Sequence, residues 1–250
     1  MTINPAEDLW NLHEPAKYPS GVMRIREAIV GTSFFPGGYG LWNPKATRPL
    51  PPFPVEGIMI LGHDFHSEAG YEESLRCGME SESQPTWKNL KDVLTRAKIP
   101  LEDCFFTNIY MGLRKGTTTT GPFPGRFDRS FCEYCKSFLV TQIAKQRPTL
   151  IVTLGIYVPE FLAALSPQLH EWSIKRGLKH LDAIGPVKTG VTFEQLPGFA
   201  TTVVALTHPS MRGSNLRHRS YGELAEDAAE MQMLRDATEI ANKSRGRSGR

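Results

Sequence analysis

The sequence predicts an α/β fold: a three-layer αβα sandwich on a central four-stranded, mainly parallel sheet. Three observations predict it. From residue 57 onward, short apolar runs alternate with stretches of helical periodicity, the pattern of right-handed βαβ units. The apolar runs are continuous rather than alternating, as strands covered on both faces should be. At 250 residues the chain is long enough to bury one such core.

The elements follow in order. The first 56 residues are irregular apart from a short helical pattern over Gly21–Val30. A Gly- and Pro-dense stretch, FFPGGYGLWNPKATRPLPPFP, then reads as a wrapped loop. GIMILGH (57–63) is the first strand. PTWKNLKDVLTRAK (85–98) carries Trp87, Leu90, Val93, Leu94 and Ala97 on one helical face, with Pro85 tolerated in its first turn. DCFFTNIYM (103–111) is the second strand, and RSFCEYCKSFLVTQIAKQ (129–146) the second helix, closed by Arg147-Pro148. TLIVTLG (149–155) is the third strand and IYVPEFLAAL (156–165) a third helix in spite of Pro159. The stretch to about 198 is mixed, with room for a hairpin. TTVVALTHPS (201–210) is the fourth strand, and residues 217–243 end in a long helix. Residues 1–243 thus form a single α/β domain with residues 1–56 as its N-terminal wrap, and 244–250 are a basic disordered tail.

Composition narrows the function classes. No run approaches the roughly 18 apolar residues of a membrane span, and MTINPAEDLW has neither the basic flank nor the apolar stretch of a secretory signal. Four cysteines are too few for a disulfide scaffold of this size, which fits a cytoplasmic protein. The net charge is +3, but Lys243, Arg245, Arg247 and Arg250 supply +4, which leaves the rest of the chain one unit negative. Overall charge therefore argues for no particular partner, and any nucleic-acid reading must rest on local chemistry.

Open parallel sheets bind ligands beyond the carboxyl ends of their strands. The polar residues there are His63, Asp64 and His66, then Asn108, Gly155, His208 and Ser210. Asp64 reads as a carboxylate that orients a water or stabilises positive charge, and equally as an N-cap or Asx-turn residue. His208 precedes a proline that extends the backbone before a turn, which suits a directed imidazole. Asn108 is a strand-end amide, structural or a reader of a ligand edge. Cys132-x-x-Cys135 has metal-ligand spacing, with Cys104, Cys77 and several histidines as candidate partners. Both thiols fall in a helical pattern where they pack as small apolar groups, and no second CxxC exists, so no metal or other cofactor is expected.

Five segments between residues 57 and 220, taken in order, resemble the uracil-DNA glycosylase superfamily. LGHDFH (61–66) is similar to the first motif, GQDPYH in family-1 enzymes, with Gly62 and Asp64 on its glycine and catalytic aspartate. PTWKNLKDVL (85–94) resembles the loop and helix that follow, and FFTNIYMGLR (105–114) the strand whose asparagine reads uracil, at Asn108. Residues 131–155 resemble a helix–strand segment of the bacterial branches, families 4 and 5. LTHPSMRGSNLRHR (206–219) is similar to the second catalytic motif, with His208, Pro209 and Ser210 on its His-Pro-Ser. Where the family has Pro-Tyr after the aspartate, this sequence has Phe65 and His66. The N-terminal CxxC of the iron–sulfur branches is missing, and Met211 and Arg212 stand where family-1 enzymes carry an intercalating leucine.

The resemblance implies a metal-free, monofunctional uracil-DNA glycosylase of base excision repair, acting as a monomer on single- or double-stranded uracil-containing DNA and releasing free uracil. Asp64 and His208 would be catalytic, while Gly62, His63, Phe65, His66, Asn108 and Tyr71 would bind the substrate, Phe65 or Tyr71 as the stacking platform. Thr86, Lys88, Ser210, Met211, Arg212, Arg217 and Arg219 would meet the DNA, with Met211 or Arg212 as wedge. Asp64→Asn and His208→Ala should cut turnover by orders of magnitude with little loss of folding. Two other readings compete: a nucleic-acid or nucleobase binder of the same fold without glycosylase chemistry, and a nucleotide hydrolase with a divalent metal on His63, Asp64, His66 and His208.

Overall fold

The computed structural model describes residues 5–29, 52–78, 83–174 and 177–248. In chain order the elements are α1 (Pro5–Leu12), β1 (Val22–Met23), β2 (Ile58–Gly62), α2 (Glu68–Cys77), α3 (Pro85–Arg96), β3 (Cys104–Asn108), β4 (Leu113–Arg114) and α4 (Arg129–Gln146). They continue with β5 (Leu150–Leu154), α5 (Tyr157–Ala163), α6 (Leu178–Ile184), β6 (Val187–Thr192), β7 (Ala200–Leu206), α7 (Arg212–Asn215), β8 (Ser220–Tyr221), β9 (Leu224–Ala225) and α8 (Glu226–Ser248). The fold is mixed α/β around a mostly parallel sheet, as the alternation of apolar runs and helical periods requires. Among the described residues no helix is long and apolar enough to cross a membrane.

The sheet has five strands rather than four, in the order β3-β2-β5-β7-β6. The added strand is β6, which pairs antiparallel with β7 and slips register between Lys188 and Val191. Its sequence, VKTGVT, is short of apolar residues and only Val191 in it is buried, so it lacks the signature of a covered strand. The hairpin expected before residue 198 is closed by β7 itself. β2 pairs in parallel with β5 from Ile58↔Leu150 to Leu61↔Thr153, and β5 with β7 from Leu150↔Thr202 to Leu154↔Leu206. Every residue of β5 is buried. The strand order reverses between β2 and β5, and the carboxyl ends beside such a reversal are where open sheets take ligands.

The chain divides into two compact units. The first holds Met1–Val55, His63–Ser81 and Phe105–Gln146. In it, α4 buries Phe131, Cys135, Phe138, Leu139 and Ile143, the stripe its periodicity predicts. The helical pattern over Gly21–Val30 gives way, in its described part, to β1: Val22 and Met23 pair antiparallel with Arg114 and Leu113. Local helical spacing loses there to a strand partner far along the chain. Among the described residues of this unit, two helices escaped the periodicity argument. One is α1, with Pro5 at its start and Glu7 and Asp8 in its first turn; the other is α2, whose N-cap Ser67 accepts a hydrogen bond from the Gly70 amide. The Pro-rich loop expected over residues 34–54 lies, up to residue 51, outside the described residues.

The second unit holds Glu56–Gly62, Glu82–Cys104 and Arg147–Arg250. In it α3 buries Trp87, Leu90, Val93 and Leu94, again the predicted face. α5 accepts Pro159 because the residue lies in the first turn, where the missing N–H has no intrahelical acceptor to lose. α8 runs through Ser248 and packs along β7.

Candidate active site

In the first unit the functional side chains follow β2. The Asp64 carboxylate is almost fully buried and receives four donors. Arg114 approaches it bidentately, Nε donating to Oδ1 at 3.2 Å and Nη2 to Oδ2 at 2.8 Å. The His66 backbone N–H donates to Oδ1 at 3.2 Å, and His63 Nδ1 lies 2.8 Å from Oδ2. The His66 bond makes Asp64 an Asx-turn residue, so the structural reading of this aspartate holds alongside any functional one. Burial alone would push the carboxyl up, but hydrogen bonds and positive charge from His63 and Arg114 hold it below its usual value, and the group stays ionised.

The same loop carries a strained residue. His66 has φ +78°, a left-handed conformation that costs a non-glycine residue about 1–3 kcal/mol. Asp64 pins its N–H, and its carbonyl accepts the Arg114 backbone N–H at 2.9 Å, so both sides of the peptide are tied. The exposed His66 ring lies over the first turn of α2, where a Cβ on Gly70 would come within 2.3 Å of Nδ1. Only glycine leaves room for it.

Arg114 is a residue that sequence reasoning missed. It is buried on β4 and uses all five of its N–H groups. Those not on Asp64 go to the carbonyls of Thr120 and Pro122, each at 3.1 Å, and of Gly121 at 2.7 Å. The available signal was its position at the end of FFTNIYMGLR, six residues past Asn108.

Asn108 ends β3, partly exposed, and its amide has no hydrogen-bond partner among the described residues. Beyond it Tyr110 stacks on Phe123 with centroids 4.7 Å apart, and both meet the His63 ring edge-on. The two expected stacking platforms are otherwise engaged. Tyr71 is fully buried, its hydroxyl donating to the Glu27 carbonyl at 2.9 Å and accepting from the Glu27 N–H at 2.6 Å. Phe65 is buried as well, so neither ring presents a face to a ligand. Cys135 is a core residue whose thiol burial pushes up to about 12.

In the second unit the residues gather after β7. His208 Nδ1 lies 2.8 Å from Ser210 Oγ. Gly155, at the end of β5 with φ +88°, lets the histidine come close, since a Cβ there would stand 3.2 Å from His208 Cβ. Asn89 of α3 donates to the Pro209 carbonyl at 2.8 Å, and Met211 N–H closes the turn onto the His208 carbonyl at 2.8 Å. Behind the turn, the fully buried Glu230 of α8 accepts the Thr207 N–H at 2.7 Å. Glu230 is a second residue missed from sequence; its only signal was an acid inside the apolar stripe of Ala229, Met231, Met233 and Leu234.

Two of the expected DNA contacts are corrected by burial. Arg212 pairs with Glu230 and Asp227. Arg219 is fully buried, with Nη2 at 3.0 Å from Asp182 and 2.8 Å from the Ala205 carbonyl. Both guanidiniums are buried and neutralise the protein's own carboxylates, so they present nothing to a phosphate. Lys88, Ser210 and Arg217 are exposed, Thr86 half-buried, and Met211 keeps 46 % of its surface in solvent. Gly62 is the buried last residue of β2. Among the described residues no group of three or more His, Cys, Asp or Glu is arranged to hold a metal ion.

Residues 58–231, well over half of the chain, match the family model described as the uracil DNA glycosylase superfamily. No curated protein matches the chain.

Proposed function

The chain belongs to the uracil DNA glycosylase superfamily, and from that premise we propose that it is a monofunctional uracil-DNA glycosylase. It flips deoxyuridine out of single- or double-stranded DNA, hydrolyses the N-glycosidic bond and leaves an abasic site and free uracil. The observation that carries this reading is chemical: one matched span supplies an ionised carboxylate after β2 and, after β7, a histidine held by a serine hydroxyl.

Breaking the C1′–N1 bond leaves positive charge on the sugar and negative charge on the base. The loop of Asp64 serves the first and handles the attacking water; His208 serves the second. For a neutral His208 to donate from Nε2 to a uracil carbonyl oxygen, Nδ1 must accept, and the Ser210 hydroxyl at 2.8 Å is the donor that fixes this tautomer. The Asn108 amide reads the uracil edge by accepting from N3–H and donating to O4, a pattern that cytosine reverses. Met211 enters the gap left by the flipped base, and Thr86, Lys88 and Arg217 hold the phosphates. The enzyme acts as a cytoplasmic monomer, without a metal or other cofactor.

The test is to incubate the protein with uracil-containing single- and double-stranded DNA in EDTA and to cleave abasic sites with alkali. Scission at deoxyuridine is expected, and His208→Ala should slow it about 10²–10³-fold. No scission under any ionic condition sinks the reading; activity lost only in EDTA points instead to a metal-dependent hydrolase.

A further inference from the structure

A carboxylate offers about four lone-pair sites, and at Asp64 all four are taken. The occupants are Arg114 Nε and Nη2, the His66 N–H and His63 Nδ1. A water seated on Asp64 would have to displace one of them. The charge of the carboxylate is also already met by a buried guanidinium in bidentate contact. Asp64 is therefore poorly placed to take a proton from water itself.

Of the donors around it, the guanidinium and the backbone amide do not exchange protons in a catalytic cycle near neutral pH. An imidazole does. With Nδ1–H donating to Asp64, the basic lone pair of His63 sits on Nε2. The ring is steadied edge-on by Tyr110 at 5.4 Å and Phe123 at 6.4 Å. Its side chain is 13 % exposed, enough for solvent to reach it. A carboxylate behind a histidine, fixing its tautomer and stabilising the imidazolium, is the arrangement by which hydrolases activate hydroxyl nucleophiles.

We infer that His63 is the general base of the glycosidic hydrolysis and that Asp64 is a positioning residue acting through it. The inference rests on the glycosylase reading. In the step, water oxygen bonds to C1′ as the C1′–N1 bond breaks. The bonding pair leaves with uracil as its anion, and the water proton passes to His63 Nε2. Asp64 accepts from the resulting imidazolium, while Arg114 holds Asp64 in place.

Single-turnover cleavage of a uracil-containing oligonucleotide by the full-length chain tests this. His63→Gln keeps a side-chain donor for Asp64 but has no base, and should react about 10²–10⁴-fold more slowly while melting near the wild-type temperature. His63→Ala should be restored in part by added imidazole, and Asp64→Asn should not. The His63→Gln/Asp64→Asn double variant should be no slower than the slower single one, since the two residues act as a unit. An active wild type with His63→Gln near its rate overturns the base assignment alone. So does a folded His63→Ala that imidazole fails to restore. A wild type inert on uracil DNA overturns the function and this inference together.

Discussion

The loop after β2 and the turn after β7 are held in opposite ways. In the first, the ionised group is itself the keystone: Asp64 gathers a histidine, a backbone amide and both arms of Arg114. In the second, the support stands behind the chemistry. Glu230 fixes the Thr207 amide and Asn89 the Pro209 carbonyl, and the Ser210 hydroxyl meets His208 at Nδ1. The difference teaches that charge can be built into a site as structure in one place and kept out of it in another. Substitutions in the two regions should then separate folding from turnover differently.

The largest effect is expected at the keystone. Asp64→Asn leaves the buried Arg114 without its counter-ion, a loss of about 3–5 kcal/mol, and turnover falls with it. This revises the expectation of little loss of folding, because the buried ion pair with Arg114 was no part of it. The loss should depend on pH. The folded carboxyl lies below its ordinary value, so its contribution is complete above the unfolded value of about 3.9 and disappears as pH falls through the folded one. Urea midpoints of wild type and Asp64→Asn should therefore converge in acid; a constant gap would separate Asp64 from the ion pair.

Glu230→Gln comes next. It leaves Arg212 and Arg219 short of a counter-charge in the interior and should cost about 3–5 kcal/mol in urea unfolding. The amide oxygen can still accept from Thr207, so turnover per folded molecule should fall far less than in His208→Ala. Equal losses of rate would erase the contrast between the two regions. The smallest effect belongs to Gly155→Ala. A left-handed alanine costs about 1–3 kcal/mol, and its Cβ at 3.2 Å presses on His208, so rate should drop more than stability.

What could be read from sequence follows from the range of the forces involved. The strands β2, β5 and β7 and the faces of α3 and α4 are local patterns of burial, and they stand where the apolar runs put them. β6 went unseen because its pairing with β7, not its own side chains, makes it a strand. Arg114 and Glu230 went unseen for a related reason. A lone arginine at a strand end and a lone acid in an apolar helix become meaningful only through partners 50 and 18 residues away, Asp64 and Arg212. Arg219 was misread the same way, since a basic residue after a catalytic motif looks like a phosphate contact until Asp182 is found against it.

The Arg114 clamp on the loop before the short 3₁₀ helix Pro124–Phe127 has one further consequence. It grips Thr120, Gly121 and Pro122 solely through their carbonyls, a group every amino acid carries. Side chains at 120 and 122 can therefore be exchanged without disturbing the charge on Asp64, with glycine required only at 121, where φ is +82°. Length is another matter, because removing one residue takes the three carbonyls out of register with the guanidinium. The loop is a segment whose spelling is free and whose count is fixed, and a library of variants built there should respect that distinction.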